Sequence, residues 1–359
     1  MRILSLYVSR EFLKNFCFLV VAFVAIYTLF DFIEKVDNFQ EAGVGGSTML
    51  MFFILQLPEI ASLLMPLAVL MSAILTLGLM AKNNEIVAVK SSGISLIRFT
   101  LPILLLSLAL ALALALLKES VIPQTKARTN YIWDVLVEKR PGRMLHHQKF
   151  WFKGENSFYR VGYYDQKSHT LSDVVYYHFD KKFNLDLRID AHRARYLGGK
   201  WVFFSGLVQR RLPGGGYSAQ TFQEKAFDLP ETPQDFSRLA KPSEEMSLGE
   251  LARYLERVER EGYDARRYRV DLQARLSFPF VCVIMALLGI PLALMGERGG
   301  SLSKALLLGL GASLLYWIGF SYARSLFGYS GVLPPVAAVW LVNGVYGIVG
   351  MWLMTTIKQ

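Results

Sequence analysis

Long apolar runs separated by short polar breaks make up most of this chain, with one long polar stretch in the middle. Phe16–Phe32, Ile60–Leu79 and Phe99–Leu117 come first. Leu272–Leu294, Ala305–Tyr322 and Val336–Thr355 come last. Each run is near the ~20 residues that a helix needs to cross a bilayer core, so six spans are expected. Phe99–Leu117 alternates Ala and Leu at a strand-like period of two. A lone strand leaves its backbone unsatisfied in lipid, so a helix is expected there too. Met49–Leu57 is apolar but runs into Pro58, and the second helix is expected to start at that proline, with Glu59 in its first turn. Pro66 should kink this helix, and Pro279 and Pro291 should bend the fourth span. Pro334-Pro335 should open the sixth.

Between the two triplets, Lys118–Arg269 restores charge and alternates aromatic with polar residues. Seven short strands are expected: Phe150–Lys153, Phe158–Tyr164, Val174–Phe179, Leu185–Ala191, Lys200–Phe204, Leu207–Leu212 and Ala219–Phe227. Gly198-Gly199 and Pro213–Gly216 read as turns, and Pro230–Pro242 as a linker. Ser247 with Glu250 has capping-box spacing, and a long helix from Asp264 should feed the fourth span. The expected fold class is an α-helical membrane protein with six transmembrane helices (3+3) and an inserted β-jelly-roll-like domain. Its divisions are expected at residues 1–117, 118–246 and 247–359, with a short helix at about 84–92.

The chain has 359 residues, 53% of them hydrophobic, and a mean hydropathy of +0.32. Its net charge of +10 would suggest nucleic acid in a soluble chain, but no polybasic block or nucleic-acid motif accompanies it. The basic residues instead sort by loop. Arg2, Arg10, Lys14, Lys82, Lys90, Arg98, Arg298, Lys304 and Lys358 fall on one side, against Lys35 and Arg324 in the short loops of the other. By the positive-inside rule both termini are expected in the cytoplasm and the β-domain outside it. The first run exceeds a signal-peptide core, and no small-residue cleavage site follows it. Cys17 and Cys282 both lie in apolar runs and form no disulfide framework.

Catalytic signatures are absent from the sequence. It contains no phosphate-binding loop, no nucleophile elbow and no H-E-x-x-H. His146, His147, His169, His178 and His192 all lie in the β-domain, and adjacent His146 and His147 would face opposite sides of a strand. No cofactor or metal is expected on this chain, and an intramembrane enzyme lacks a nominated nucleophile.

Three places remain as candidates. The first is Leu79–Ile97, the break between the second and third runs. Asn83 and Asn84 can cap a helix start, Glu85 suits its first turn, and Ile86, Val89 and Lys90 share helical spacing before Gly93 stops it. That pattern fits either an ordinary capped turn or a docking element for a soluble partner. The second is the charged cluster Asp31–Glu41, including Glu34, Lys35 and Asp37, read either as a solvated loop at the membrane surface or as a gate meeting a charged headgroup. Glu59 has the same two readings. The third is the β-domain's aromatic set, Tyr163, Tyr176, Phe179, Trp201 and Phe203, which either fills the domain's own core or lines a groove for acyl chains.

The run PLAVLMSAILTLGLMAKNNEIVAVKSSGISLIR (Pro66–Arg98) resembles the LptF/LptG permease family of the lipopolysaccharide export ABC transporter. Pro-Leu-Ala, Leu-Gly before the break, Glu85 and Ser-Gly before Ile94-Ser95 carry the likeness. The order of three spans, β-domain and three spans matches across the chain. DFIEKVDNFQEAG (Asp31–Gly43) and VLPPVAAV (Val332–Val339) are closer to the LptG branch. The resemblance implies an LptF-like partner, two copies of an LptB-like ATPase that use the ATP, and an LptC-like partner, all in the bacterial inner membrane. It implies that Glu85 and its helix, Asn84–Gly93, couple to the ATPase. It also implies that spans one and five line a lipopolysaccharide cavity, bringing in Phe30, Tyr316 and Phe320. One departure stands out: Lys35 is set among acidic residues where related chains can present several lysines, leaving Arg324 or a bound divalent cation to compensate. The alternative from another class is a membrane-anchored scaffold whose β-domain binds a periplasmic partner.

Overall fold

The computed structural model describes residues 2–138, 150–154, 156–165, 168–180, 183–212, 215–233, 243–260, 265–295 and 302–356. They divide into two compact units, one of helices (Met1–Asp37, Leu50–Lys126 and Met246–Gln359) and one containing the sheet (Asn38–Met49 and Ala127–Glu245).

Helix α1 (Arg2–Ala42) runs far past the expected first span. No glycine or proline interrupts it until Gly43, which adopts a φ of +71° that L side chains rarely take. The charged cluster expected in a loop is therefore helical, with Lys35 paired to Asp31 one turn before it. Helix α2 (Gly46–Lys82) also starts earlier than expected and passes through both Pro58 and Pro66. The residues before Pro58 are apolar, and Phe52 and Phe53 are buried, so packing offsets the lost hydrogen bond. Glu59 accordingly sits in mid-helix, away from any helix end. Short α3 (Glu85–Ser91) and long α4 (Leu96–Ser120) follow, then α5 (Ile122–Tyr131), which continues as a π-helical turn over Ile132–Val137.

After the sheet comes α6 (Leu248–Arg260). Its capping box forms as read: Ser247 N–H donates to Glu250 at 3.0 Å, and Glu250 N–H to Ser247 Oγ at 3.2 Å. The long helix expected from Asp264 is instead two, α7 (Arg266–Ser277) and α8 (Phe280–Met295), bent by 48° where Pro279 interrupts them. Helix α9 (Leu302–Tyr322) runs on as a π-helical turn over Ala323–Tyr329, and α10 (Pro335–Thr355) opens on its proline pair. Among the described residues five helices are long and apolar enough to cross a membrane, and the bent pair α7–α8 passes the same test when its two helices are taken together.

Helix α2 is the centre of the helical unit: 72% of its apolar window is buried, against 11% for α1. Small residues let its neighbours close on it. A Cβ added to Gly289 on α8 would meet the Leu70 carbonyl at 2.9 Å, and one on Gly309 of α9 would meet Ile74 at 2.5 Å.

The inserted unit holds one six-stranded antiparallel meander in chain order. The strands are β1 (Phe150–Lys153), β2 (Ser157–Asp165), β3 (Thr170–Phe179), β4 (Leu185–Leu197), β5 (Lys200–Arg211) and β6 (Tyr217–Phe227). The β-domain is where the sequence put it, and its described strands connect more simply than in a jelly roll. One row of the ladder is skipped, at Gly162, Asp173, His192, Ser205 and Gln223. Asp173 and Ser205 there have φ of 48° and 51°. The inward positions change parity across this row, from Tyr159 and Val161 to Tyr164, and from Trp201 and Phe203 to Val208. The crease keeps one face of the sheet apolar from end to end. It also joins what read as two strands, Lys200–Phe204 and Leu207–Leu212, into β5.

Candidate functional site

Helix α3 is fixed from below and from both ends. Ile86 and Val89 are buried in the core of the helical unit, which leaves Val87 outward at 56% exposure. Its C-terminus closes by the pair of bonds that a left-handed glycine permits. Gly93 N–H reaches the Lys90 carbonyl at 2.9 Å, and Ile94 N–H the Val89 carbonyl at 3.3 Å, with Gly93 at φ +73°. The N-terminus differs from the expected asparagine cap. Asn84 is left-handed (φ 62°) and makes no side-chain cap bond, and Asn83 Nδ2 instead donates to Glu85 Oε1 at 3.4 Å. Tyr7 of α1 donates its hydroxyl to Glu85 Oε2 at 3.1 Å. A gap of 78 residues hid this contact from any local sequence pattern. Lys90 is half-buried on the last turn of α3. A second polar clasp, Asn15 Nδ2 to Thr76 Oγ1 at 2.8 Å, ties α1 to α2.

Toward its other end, α1 and α2 enclose a cleft of about 330 Å³, lined by Phe23, Ile26, Tyr27, Phe30, Asp31, Glu34, Leu64 and Leu67. Most of the wall is apolar and two carboxylates close one end. Lys35 donates to Asp31 Oδ1 at 2.6 Å and lies over the Phe52 ring. Asp37 is exposed and does not line the cleft. Glu59 accepts from Lys126 at both oxygens, each at 2.8 Å, so its partner is a side chain and not a helix terminus. The structure thus gathers Phe30, Glu34 and Lys35 beside this cleft.

The other two expected cavity residues lie elsewhere. Tyr316 is fully buried and donates to Asn343 Oδ1 at 2.7 Å, and Phe320 stacks on its ring within the core. Both face inward because α9 packs this edge against α10. Arg324 does not stand ready for a phosphate: its Nη2 donates to buried Asp271 at 2.7 Å, and Tyr329 donates to the same oxygen at 2.5 Å. The charge of Asp271 calls for this pairing, and no sequence spacing signals it.

In the β-domain Trp201, Phe203 and Tyr176 are core residues, while Phe179 is half-buried against Phe158 and Phe183. The side chain of Tyr163 lies outside the described residues, as do His146 and His147. The buried three fill the domain's own core. Phe227 and Leu229 join the same core. Trp201 Nε1 donates to the Glu231 carbonyl at 2.7 Å, and Tyr164 donates to the Pro233 carbonyl at 2.9 Å. The buried Glu231 carboxylate accepts from Ser157 at 2.7 Å and from Tyr159. Burial, then the Glu231 charge, raises the Tyr159 phenol far above its ordinary range and pushes Tyr176 up to about 12. These residues form a lock built from donors and one acid, a set that sequence reading missed because Glu231 sits in what read as linker.

Comparison with known proteins adds the following. The sequence pattern of the family described as lipopolysaccharide export system permease LptF/LptG matches residues 6–356. The chain is 21% identical over 351 residues to the lipopolysaccharide export system permease protein LptG of Escherichia coli (strain K12), covering 94% of this chain and 95% of that one. It is also 21% identical over 369 residues to the LptG of Haemophilus influenzae, covering 99% of each.

Proposed function

Because the chain belongs to the LptF/LptG family of lipopolysaccharide export permeases and resembles its LptG members, we propose that it extracts lipopolysaccharide from the inner membrane and passes it to a periplasmic bridge. The family is a transport component and not a catalytic subunit. In this reading the chain pairs with an LptF-like permease, two LptB-like subunits hydrolyse ATP below it, and an LptC-like partner receives the lipid. Both termini and α3 lie in the cytoplasm, and the β-domain lies in the periplasm. ATP binding draws the two ATPase subunits together, α3 moves with them, and the lipid cavity narrows.

The observation that supports this coupling best is the mounting of α3. Buried Ile86 and Val89 root the helix in the bundle, and the Tyr7–Glu85 hydrogen bond links it to the first turns of α1. A push on α3 is therefore delivered to α1, one wall of the cleft. A loosely attached turn would absorb it.

The test uses the complex purified from membranes. Glu85→Ala should lower ATPase co-purification and ATP-driven lipid release while the helices stay folded. Tyr7→Phe should keep the ATPase bound and reduce release per ATP hydrolysed. Wild-type ATPase association and full release in Glu85→Ala would refute the coupling role and favour a scaffold.

A further inference from the structure

We propose that the α1–α2 cleft binds the primary ammonium group of an amine-bearing lipopolysaccharide, with Asp31 and Glu34 as its acceptors. This rests on the exporter reading above and specifies part of its cargo.

Unsatisfied acceptors carry the argument. Asp31 is 9% exposed, lines the cleft, and meets Lys35 through Oδ1 alone; its Oδ2 is buried with no hydrogen-bond partner among the described residues. Thr28 Oγ1 and Gln56 Oε1 are buried and unpartnered in the same sense. Thr28 lies one turn before Asp31 on α1. Gln56 lies one turn after Phe53, whose ring touches Phe32 of α1 at 5.3 Å. A buried polar atom left without its bond costs about 1–3 kcal/mol, so the open Asp31 oxygen on a cleft-lining residue points to a missing partner. Of these three residues Asp31 alone lines the cleft, and its carboxylate only accepts. The group that complements it is a donor-rich cation, and an ammonium carries three N–H donors and no acceptor.

Charge excludes the opposite choice. Asp31, Glu34, Glu59 and Lys126 all lie within electrostatic reach of Tyr27, and Lys35 adds a second cation. Three carboxylates against two ammoniums leave this end negative, and Glu59 is already held by Lys126. A bare phosphate would be repelled and would bring only acceptors. The apolar wall of Phe23, Ile26, Phe30, Leu64 and Leu67 suits an acyl chain beside the headgroup. The occupant is thus an amphiphile with a cationic head, which among exported glycolipids means one bearing an amine substituent.

The experiment uses the complete permease–ATPase complex in lipid nanodiscs. The probes are lipopolysaccharide with phosphoethanolamine on its phosphates, the same material with that substituent removed, and phosphatidylethanolamine. Retention is read by native mass spectrometry under competition. Wild type should hold the amine-bearing form about tenfold more tightly than the stripped form, the size of one or two charge-assisted hydrogen bonds. Asp31→Asn should abolish that preference. Glu34→Gln, at an exposed position, should reduce the preference and serves if Asp31→Asn fails to fold. Equal retention of the two forms, a preference untouched by both variants, a preference that needs millimolar magnesium, or equal retention of phosphatidylethanolamine would each overturn the proposal. If neither lipopolysaccharide form is retained, the exporter reading itself fails; if both are retained alike, only this inference does.

Discussion

Two of the buried carboxylates among the described residues, Glu231 of the β-domain and Asp31 of the helical unit, have opposite surroundings. Glu231 in the β-domain accepts from Ser157 and Tyr159, and its own carbonyl takes the Trp201 indole. Asp31 in the helical unit has one ion pair to Lys35 and one buried oxygen with no partner among the described residues. A buried acid whose neighbours are all donors acts as a lock, because removing it strands those donors. A buried acid with an open acceptor has a vacancy that a ligand can fill. The comparison sets a carboxylate whose acceptors are filled against one with an acceptor open, a difference that the sequence reading of a linker at Glu231 and a charged cluster at Asp31 did not carry.

The largest effect that sharpens this contrast is expected from Glu231→Ala. It leaves two hydroxyls buried without their acceptor and should destabilise the β-domain by about 3 kcal/mol, read as faster proteolysis of residues 150–233 in the full chain. Tyr159→Phe removes one donor while the ring keeps its packing, and should cost about 1–2 kcal/mol in the same assay. Raising pH attacks the same lock. Tyr159 and Tyr176 are harder to ionise folded than unfolded, so the stability they contribute is complete below pH 10. It should decline as pH rises past 10 and through about 12, read as falling protease resistance of the β-domain. The smallest effect is expected from Asp31→Asn, about 1 kcal/mol by thermal melting in detergent, because the amide oxygen can still accept from Lys35. A loss as large as that of Glu231→Ala would dissolve the contrast and make Asp31 a structural lock as well.

The sequence carried the architecture because lipid imposes it. The apolar run lengths located the five long apolar helices and the bent pair among the described residues, and the capping box at Ser247–Glu250 and the stop at Gly93 were read directly. Errors arose where packing outweighs local preference. Pro58 does not open a helix, because the apolar turns before it are packed. The Asp31–Glu41 cluster stays helical, because no residue there breaks it. The strand readings failed at one row: expected strands began at Val174, ended at Ala191 and split between Phe204 and Leu207. All three points border the crease at Asp173, His192 and Ser205, where the inward face changes parity and alternation stops being a guide. The sites were less legible. Glu85, Phe30 and Glu34 could be named from composition and likeness. The long-range partners could not: Tyr7 on Glu85, Asp271 on Arg324 and Glu231 on Ser157 signal nothing locally and acquire meaning only through contacts tens of residues away.

The central claim, that this chain handles lipopolysaccharide along α1, is tested most directly by a photo-reactive residue at Phe30, which lies on the cleft at 68% exposure. Leu112 on α4, 62% exposed and away from the cleft, is the control. In cells carrying the full complex, Phe30 should label lipopolysaccharide, Leu112 should label bulk phospholipid, and the Phe30 adduct should fall when ATP drives release. Equal lipopolysaccharide labelling at both positions, or none at Phe30, would contradict the account.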